Sequence, residues 1–480
     1  MNHKKYDVVV VGAGAAGSAA ALSAAEAGAK VLVVEGSGEL GGPVKGGNGL
    51  FAVESDLQQE KKVDLSCEQA FRQMMDFTHW QVDARLMGEF IRKSADTVSW
   101  LTELGIAFSE VVAYYRGADY TWHFKSSECQ SIPDAIFDRA INCYGVKVMT
   151  ETKVISLTKK DNAIAGVVVK RSDGSEEKIQ CKTVVIATGG MGSNRQMVFD
   201  YTGYRLGENV FSFEFPEVDG SGLKMAWEAG AAKTDVLLDT YVSLPNPFAG
   251  PGGTLYELGT FRQPSLMVNS WGERIMDESI MCMPSYAGNV VKRQPGGCAY
   301  MILDEGINQY YESHRWDNYI SGIGHDRSHN LPALIQKAMD EGHSHLCMAD
   351  SLEELADLMG IDAEGLKFTV KEYNSTCVKG HDPMFYKPFK FLRPIIKPPF
   401  YAARFYVSAY ATLGGISIDY KGRVINREKK AIVGLYAAGN DANNLYGDTY
   451  PFFYSGNTSG FCYNSGRIAG ENAAAYSQTI

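Results

Sequence analysis

An α/β fold organised around a parallel sheet is predicted by three features of residues 6–35, YDVVVVGAGAAGSAAALSAAEAGAKVLVVE. Residues 8–11 are a short β-branched apolar run, the pattern of a strand buried on both faces. Gly12, Gly14 and Gly17 follow in the spacing G-x-G-x-x-G, leading into an alanine-rich helix over 18–27. Gly28 stops that helix, and a second apolar strand over 30–34 ends at Glu35. The first glycine lets the chain turn, the second lets backbone approach a pyrophosphate, and the third lets the helix pack on the strand. Helix N–H groups then face the phosphates beside Ala15 and Ala16, and Glu35 stands where a carboxylate accepts from a ribose hydroxyl. Together they predict a dinucleotide site. Lys4 and Lys5 before an apolar run resemble an export signal, but Asp7 and the prompt return to strand pattern argue against one.

Composition narrows the class. A chain of 480 residues with 45% hydrophobic content can bury a large core and is expected to form two domains. The net charge of −10 offers no basic footprint for nucleic acid. No apolar stretch is long enough to span a bilayer. Nine scattered cysteines without a C-x-x-C pair argue against cluster or haem attachment and fit a reduced, cytoplasmic location.

Taken in order, Glu35 is followed by the glycine-rich loop GSGELGGPVKGGNGLFAVES, whose backbone can wrap a ligand closely through Gly36, Gly42, Gly46, Gly47 and Asn48. Residues 66–105 read as helical, with Gly105 as the stop. The aromatic-dense segment 111–128 holds Tyr114, Tyr115, Tyr120, Trp122, His123 and Phe124, and suits a pocket lining or a satellite core equally. Strands occupy 146–190, with Asp173-Gly174 as a turn and Ala187-Thr188-Gly189-Gly190 as a glycine turn. A further strand over 432–437 ends at Ala438-Gly439-Asn440, and a helix start follows at 455–460. Both ends of the chain thus supply turns suited to one long dinucleotide.

The stretches ATGGMGSNRQMV, DGSGLKMAWEAG (beginning at Asp219), LMVNSWGERIMDES, TLGGISIDYKGRVIN and GLYAAGN resemble the FAD-dependent fumarate reductase/succinate dehydrogenase flavoprotein superfamily, in its order and over nearly the whole chain. The resemblance implies a Rossmann-like, glutathione-reductase-like FAD-binding domain from residues 1–235 and 398–480, with an inserted α+β capping domain over 236–397. It implies non-covalent FAD, held also by Val154, Ala187, Thr188, Gly189, Asp219, Gly439 and Asn440. Asn457, Thr458 and Ser459 would set helix amides against the flavin edge where reduction builds negative charge.

Fumarate reductases hold a dicarboxylate with arginines and histidines. Here Tyr450 stands near the family's substrate arginine, Tyr410 and Ala411 near its histidine, and DESIMCMPSYAG near its proton-donating arginine, with no arginine until Arg293. These substitutions resemble the 3-ketosteroid dehydrogenase branch, which has a tyrosine after an N-E-S-x-P stretch and a T-Y-P motif before the last helix. Tyr286 and Thr449-Tyr450-Pro451 match those features, although the proline falls late and residues 452–455 add bulk.

The resemblance therefore implies an FAD-dependent oxidoreductase that forms or reduces a C=C bond next to a carbonyl in a bulky, mostly apolar, ketosteroid-like enone. Hydride passes at flavin N5, Tyr286 exchanges a proton, and Tyr450 with a backbone N–H near Gly456 polarises the oxygen. Glu257 and Arg262 lie roughly where the family carries a proton relay, so Arg262 joins the candidate catalytic set, with a surface ion pair as its duller alternative. His123 is near a substrate histidine of the family. Two alternatives stand beside this reading: an aryl acrylate-like enoate reductase anchored by Arg116, Arg262 or Arg404, and an electron-transfer flavoprotein subunit. With one nucleotide fingerprint taken by FAD, electrons are expected from an external partner: a reduced flavin, a reductase or a quinone. A small-molecule substrate is expected, with no metal and no nucleic acid.

Overall fold

The structure, a computed structural model, describes residues 5–47, 49–212, 215–245, 258–318 and 326–480. Its first sheet forms around the valine run. Val8, Val9 and Val10 are fully buried, and the strand Lys5–Val11 pairs in parallel with Val31–Val34 on one side and Glu176–Ile186 on the other. Lys147–Met149 extends the sheet beyond Val31–Val34, and Ala431–Ala437 joins in parallel beside Glu176–Ile186. The hairpin around Asp173-Gly174 pairs Ala163–Arg171 with Glu176–Ile186 in antiparallel register. Strands from both ends of the chain therefore make one sheet with a parallel core and antiparallel additions.

At the end of the first strand Gly12 takes φ +99°, a conformation that side chains resist. A Cβ on Gly17 would lie 1.9 Å from the Gly12 carbonyl oxygen, so helix and turn touch only because that position is glycine. The helix Ala15–Glu26 begins directly on the turn, one turn of helix earlier than the sequence pattern suggests, because Gly17 belongs to it. The helix Asn457–Ser477 lies on this first helix. Cβ atoms on Gly466 and Gly470 would each come within 2.3 Å of a backbone oxygen of Ala16 or Ala20.

The helical reading of 66–105 resolves into two helices, Cys67–Phe77 and Ala84–Glu103. Ser66 and Gln69 form a reciprocal cap on the first, and the Asp83 carboxylate accepts from Arg85 and Leu86 amides to start the second. His79 and Trp80 take positive φ between them, which breaks the run. The aromatic segment forms strands Phe108–Val112 and Trp122–Lys125, which join Gly49–Phe51 in a small sheet.

A second sheet is built on the 17-residue strand Phe400–Ile416. It pairs antiparallel with Lys233–Ser243, Ala299–Asp304, Leu346–Ala349 and Ala442–Asn443, and in parallel with Val210–Ser212. Behind the outer strands lies a separate apolar cluster that includes Phe261, Tyr311, Leu355 and Phe405. Beside it Arg274 bridges Glu278 at 2.9 Å and Asp382 at 2.8 Å, and Lys387 reaches Glu278 at 3.1 Å. Burial opposes charge on Glu278, yet Lys387 and Arg274 hold its carboxyl below the usual range. Among the described residues no helix is long and apolar enough to cross a membrane, and no group of His, Cys, Asp and Glu could hold a metal ion.

Candidate active site

A long groove runs across the C-terminal edge of the parallel sheet, as expected where strand ends and helix starts converge. Gly12, Gly14, Ala15, Ala16, Glu35, Gly36 and Gly42 line one wall, and Val154, Ala187, Thr188, Gly189, Asp219 and Asn440 line the rest. These residues, far apart in sequence, are brought together. Around Gly14 a Cβ would meet nothing within 4 Å, so the backbone there faces open space. No side chain caps the helix Ala15–Glu26, which leaves its first amides for a phosphate. The residues fit the pyrophosphate of FAD.

Glu35 Oε2 accepts from the Ala13 amide at 2.7 Å and Oε1 from the Ser37 amide at 2.8 Å. Those bonds hold the carboxylate at the groove edge with lone pairs left for ribose hydroxyls. Asp219 at the opposite rim pairs with Lys153 at 3.3 Å. Gly17 and Gly439 serve packing instead: a Cβ on Gly439 would sit 2.8 Å from the Ala16 Cβ. Gly46 closes a short 3-10 turn, Gly42–Gly46, and Gly47 follows it; Asn48 lies outside the described residues.

Sequence reasoning missed Asp441. Fully buried, it accepts from the Thr188 and Gly189 amides, from the Gly190 amide at 3.0 Å, and from the Thr188 hydroxyl. Burial pushes its carboxyl up to about 6 against the pull of those donors. Its only sequence signal is its place directly after Gly439-Asn440.

At one end the groove is bordered by Leu238, Ala409, Tyr410 and Ala411. Behind them lies an aromatic cluster. Tyr410 stacks on Tyr241 with centroids 4.2 Å apart, and Phe452 packs 4.8 Å from Tyr114 and 4.9 Å from Tyr450. Arg262 donates to the Tyr114 hydroxyl at 2.9 Å. Tyr410 is 46% exposed where the groove opens on it, while its hydroxyl end is buried, which raises its pKa well above 10. The Tyr450 hydroxyl accepts from the Thr458 amide at 3.3 Å at the start of the helix Asn457–Ser477, and burial raises its pKa as well. Asn457 is buried and donates to the Tyr454 carbonyl; Ser459 sits half-buried in the first turn. Gly456 takes φ +82°, and a Cβ there would lie 2.6 Å from Leu50 carbonyl carbon, so the helix start is pressed onto the strand Gly49–Phe51.

Asp239 is the second residue the sequence did not flag. It is 1% exposed, and Oδ1 accepts from the Tyr410 and Ala411 amides at 2.7 and 2.6 Å. Tyr286 lies elsewhere: its ring stacks on Phe77 at 6.2 Å, it borders a second cavity with Asn443, Tyr446 and Thr449, and burial raises its pKa. His123 is fully buried, with Nε2 2.6 Å from Ser55 Oγ and Nδ1 3.0 Å from Thr121 oxygen. Burial drops its pKa to about 4, the behaviour of a packed neutral imidazole. Of the three arginines weighed as anchors, Arg262 reaches the cluster. Arg116 is exposed, and Arg404 packs over Tyr300 within the second apolar region. Glu257 lies outside the described residues.

The family described as FAD binding domain matches residues 7–456. A vinyl phenol reductase of Lactiplantibacillus plantarum is 33% identical over 99% of this chain and 97% of its own length. A cytochrome-type fumarate reductase of Shewanella frigidimarina is 29% identical over 99% of this chain and 78% of its own. The solved 3-ketosteroid Δ4-(5α)-dehydrogenase of Rhodococcus jostii RHA1 superposes with a TM-score of 0.76 at 23% identity, over 98% of this chain and 97% of that one, a likeness of fold. The chain belongs to the FAD binding domain family, within the fumarate reductase/succinate dehydrogenase flavoprotein superfamily. It is an FAD-dependent oxidoreductase acting on C=C bonds.

Proposed function

We propose that this protein reduces a C=C bond conjugated to a phenol or carbonyl oxygen in a neutral, mostly apolar substrate. The observation that carries the reading is the end of the groove: tyrosines and Phe452 cluster there with Arg262. Such a cluster behind the groove wall suits an oxygen that becomes negative during reaction more than a resting dicarboxylate, which needs several cations. The bulk of Phe452 favours a flat single ring over a steroid, and the vinyl phenol reductase likeness points the same way.

Bound FAD supplies the hydride. Tyr450 uses its hydroxyl oxygen to accept from Thr458, so its proton is directed to the substrate oxygen, with the Gly456 amide as the proposed second donor. Arg262 offsets the developing charge through Tyr114. A tyrosine hydroxyl delivers the proton to carbon: Tyr286 by resemblance, Tyr410 by its place on the groove wall. Residues 236–397 act as the cap in this proposal, and electrons arrive from an external donor (a reduced flavin, a reductase or a quinone).

A second reading, reduction of an aryl acrylate, is favoured by Arg262 alone, as the carboxylate anchor. The deciding experiment is anaerobic. The reduced holoenzyme is mixed with a vinyl phenol, an aryl acrylate, a 3-keto-4-ene steroid and fumarate, and flavin reoxidation is followed. Fast reoxidation by the vinyl phenol or the enone, but not by fumarate, is expected; fumarate as the fastest oxidant would sink the proposal. Reoxidation by the acrylate alone, lost in Arg262→Ala, would establish the second reading. In the same assay Tyr410→Phe slows reoxidation by about 10²-fold or more and Tyr286→Phe by less; the reverse order would return the proton to Tyr286.

A further inference from the structure

We propose that Asp239 and Tyr446 form a proton-entry path from the second cavity to the tyrosine cluster, and that Asp239 holds the proton delivered there. The inference rests on the reading above, since it assigns the source of the proton for that reaction.

Asp239 lies in the strand Lys233–Ser243 where the pairing with Phe400–Ile416 slips between Leu238 and Thr240. Such a slip re-aims one side chain. Here it turns the carboxyl onto the Tyr410 and Ala411 amides, whose residues border the groove. Oδ1 is thereby satisfied twice. Oδ2 is buried and has no hydrogen-bond partner among the described residues.

Tyr446 carries the matching anomaly. It is 1% exposed, and its buried hydroxyl also lacks a partner among the described residues, as do both amide atoms of Asn443. Asn443 and Tyr446 line the second cavity, together with Tyr286 and Thr449. Asp239 and Tyr446 are near enough to act electrostatically on each other, and Tyr446 packs 5.4 Å from Tyr450. Orphaned polar groups thus run from the cavity to the cluster. Groups of this kind are ordinarily satisfied by water.

The groups that face Asp239 are Tyr241 from its own strand, Tyr410 from the neighbouring strand, and Tyr446 and Tyr450 from the segment before the last helix. Arg262 acts electrostatically on Tyr241 and Tyr410. No cation among these partners is bonded to the carboxyl. Burial pushes its pKa up to about 8, with the Ala411 and Tyr410 amides pulling the other way. At neutral pH the group is therefore mainly the acid, and its hydroxyl can donate where the carboxylate would strand a lone pair.

The chemistry balances with one hydride and one proton. FAD held in the groove by Gly12, Gly14, Glu35 and Asp219 would, when reduced, supply the hydride for one alkene carbon and so be the species oxidised. A tyrosine hydroxyl gives its proton to the other carbon and regains one from Asp239. The carboxylate left behind takes a proton from water through Tyr446. Asp239 is in this sense a positioning residue for the proton, acting through tyrosine.

Two measurements on the holoenzyme test this. First, reoxidation of the reduced protein by a vinyl phenol is followed against pH. Wild type is expected to lose about tenfold in rate per pH unit above about 8, while Asp239→Asn is slow at every pH and lacks that slope. Tyr446→Phe is expected to slow the reaction with KM unchanged. An Asp239→Asn protein with the wild-type slope would overturn the proposal. Second, redox-difference infrared spectra, which need no substrate, should show a protonated carboxyl band in wild type that shifts in D2O and is missing from Asp239→Asn. Absence of that band from wild type would overturn the proposal even if the variant fails to hold FAD. If no alkene of the panel reoxidises the flavin, the proposed reaction fails, and the infrared band still decides whether Asp239 holds a proton.

Discussion

Asp441 binds two distant turns of the chain with one carboxylate, since its acceptors take the amides of Thr188, Gly189 and Gly190. Asp441→Ala strands those donors in a buried place, at about 1–3 kcal/mol for each group left unsatisfied. Thermal unfolding and the bound-flavin absorbance should both report it, as a large fall in Tm and loss of yellow colour. The pH dependence has a definite sign. Folding raises this carboxyl to about 6, so the folded state keeps a proton that the unfolded chain, with an ordinary value of about 4, has lost. That contribution is fully present below about pH 4 and lost by about pH 6. Asp441→Asn cannot titrate, so the Tm of wild type relative to this variant should fall as pH rises through that window.

Among the elements, the paired helices Ala15–Glu26 and Asn457–Ser477 show how little space the design leaves. Gly466→Val would drive two methyl groups into the backbone at Ala16, where even a Cβ is too close. Overpacking of this kind costs about 1–3 kcal/mol, and the displaced helix starts should lower FAD affinity, measurable by flavin release on dilution. These elements were readable in advance because valine runs and glycine spacings carry their geometry locally. The strand Phe400–Ile416 was not, because nearly all of it is buried and the alternation that marks a strand is missing. Likewise the slip that aims Asp239, and the pairing of Arg262 with Tyr114, depend on partners more than 100 residues away. The break at His79 and Trp80 was available from Asp83, a helix-starting residue inside an otherwise continuous pattern. Of the site, the phosphate end was legible through its glycines, whereas the opposite end of the groove is set by how aromatic side chains meet.

Across the whole molecule, the chain segment that carries Tyr286 also anchors the second apolar region. Glu278 sits in DESIMCMPSY and is fully enclosed by Arg274, Lys387 and backbone. Removing one member of such a network leaves uncompensated charge, so Glu278→Gln should destabilise by about 3–5 kcal/mol, read as a shift in urea midpoint. Because the folded-state value of this acid is depressed, its contribution is present above the ordinary glutamate range and disappears as pH falls through the lowered value. The parallel sheet raises a different matter, one of timing. Its cofactor floor takes Lys5–Val11 from the start of the sequence, Ala431–Ala437 from near the end, and the helix through Ser477 as backing. During synthesis the phosphate turn emerges before Ala431–Ala437 and must wait, incomplete, for the hundreds of residues between them. The flavin floor is accordingly completed only after the helix through Ser477 has been made.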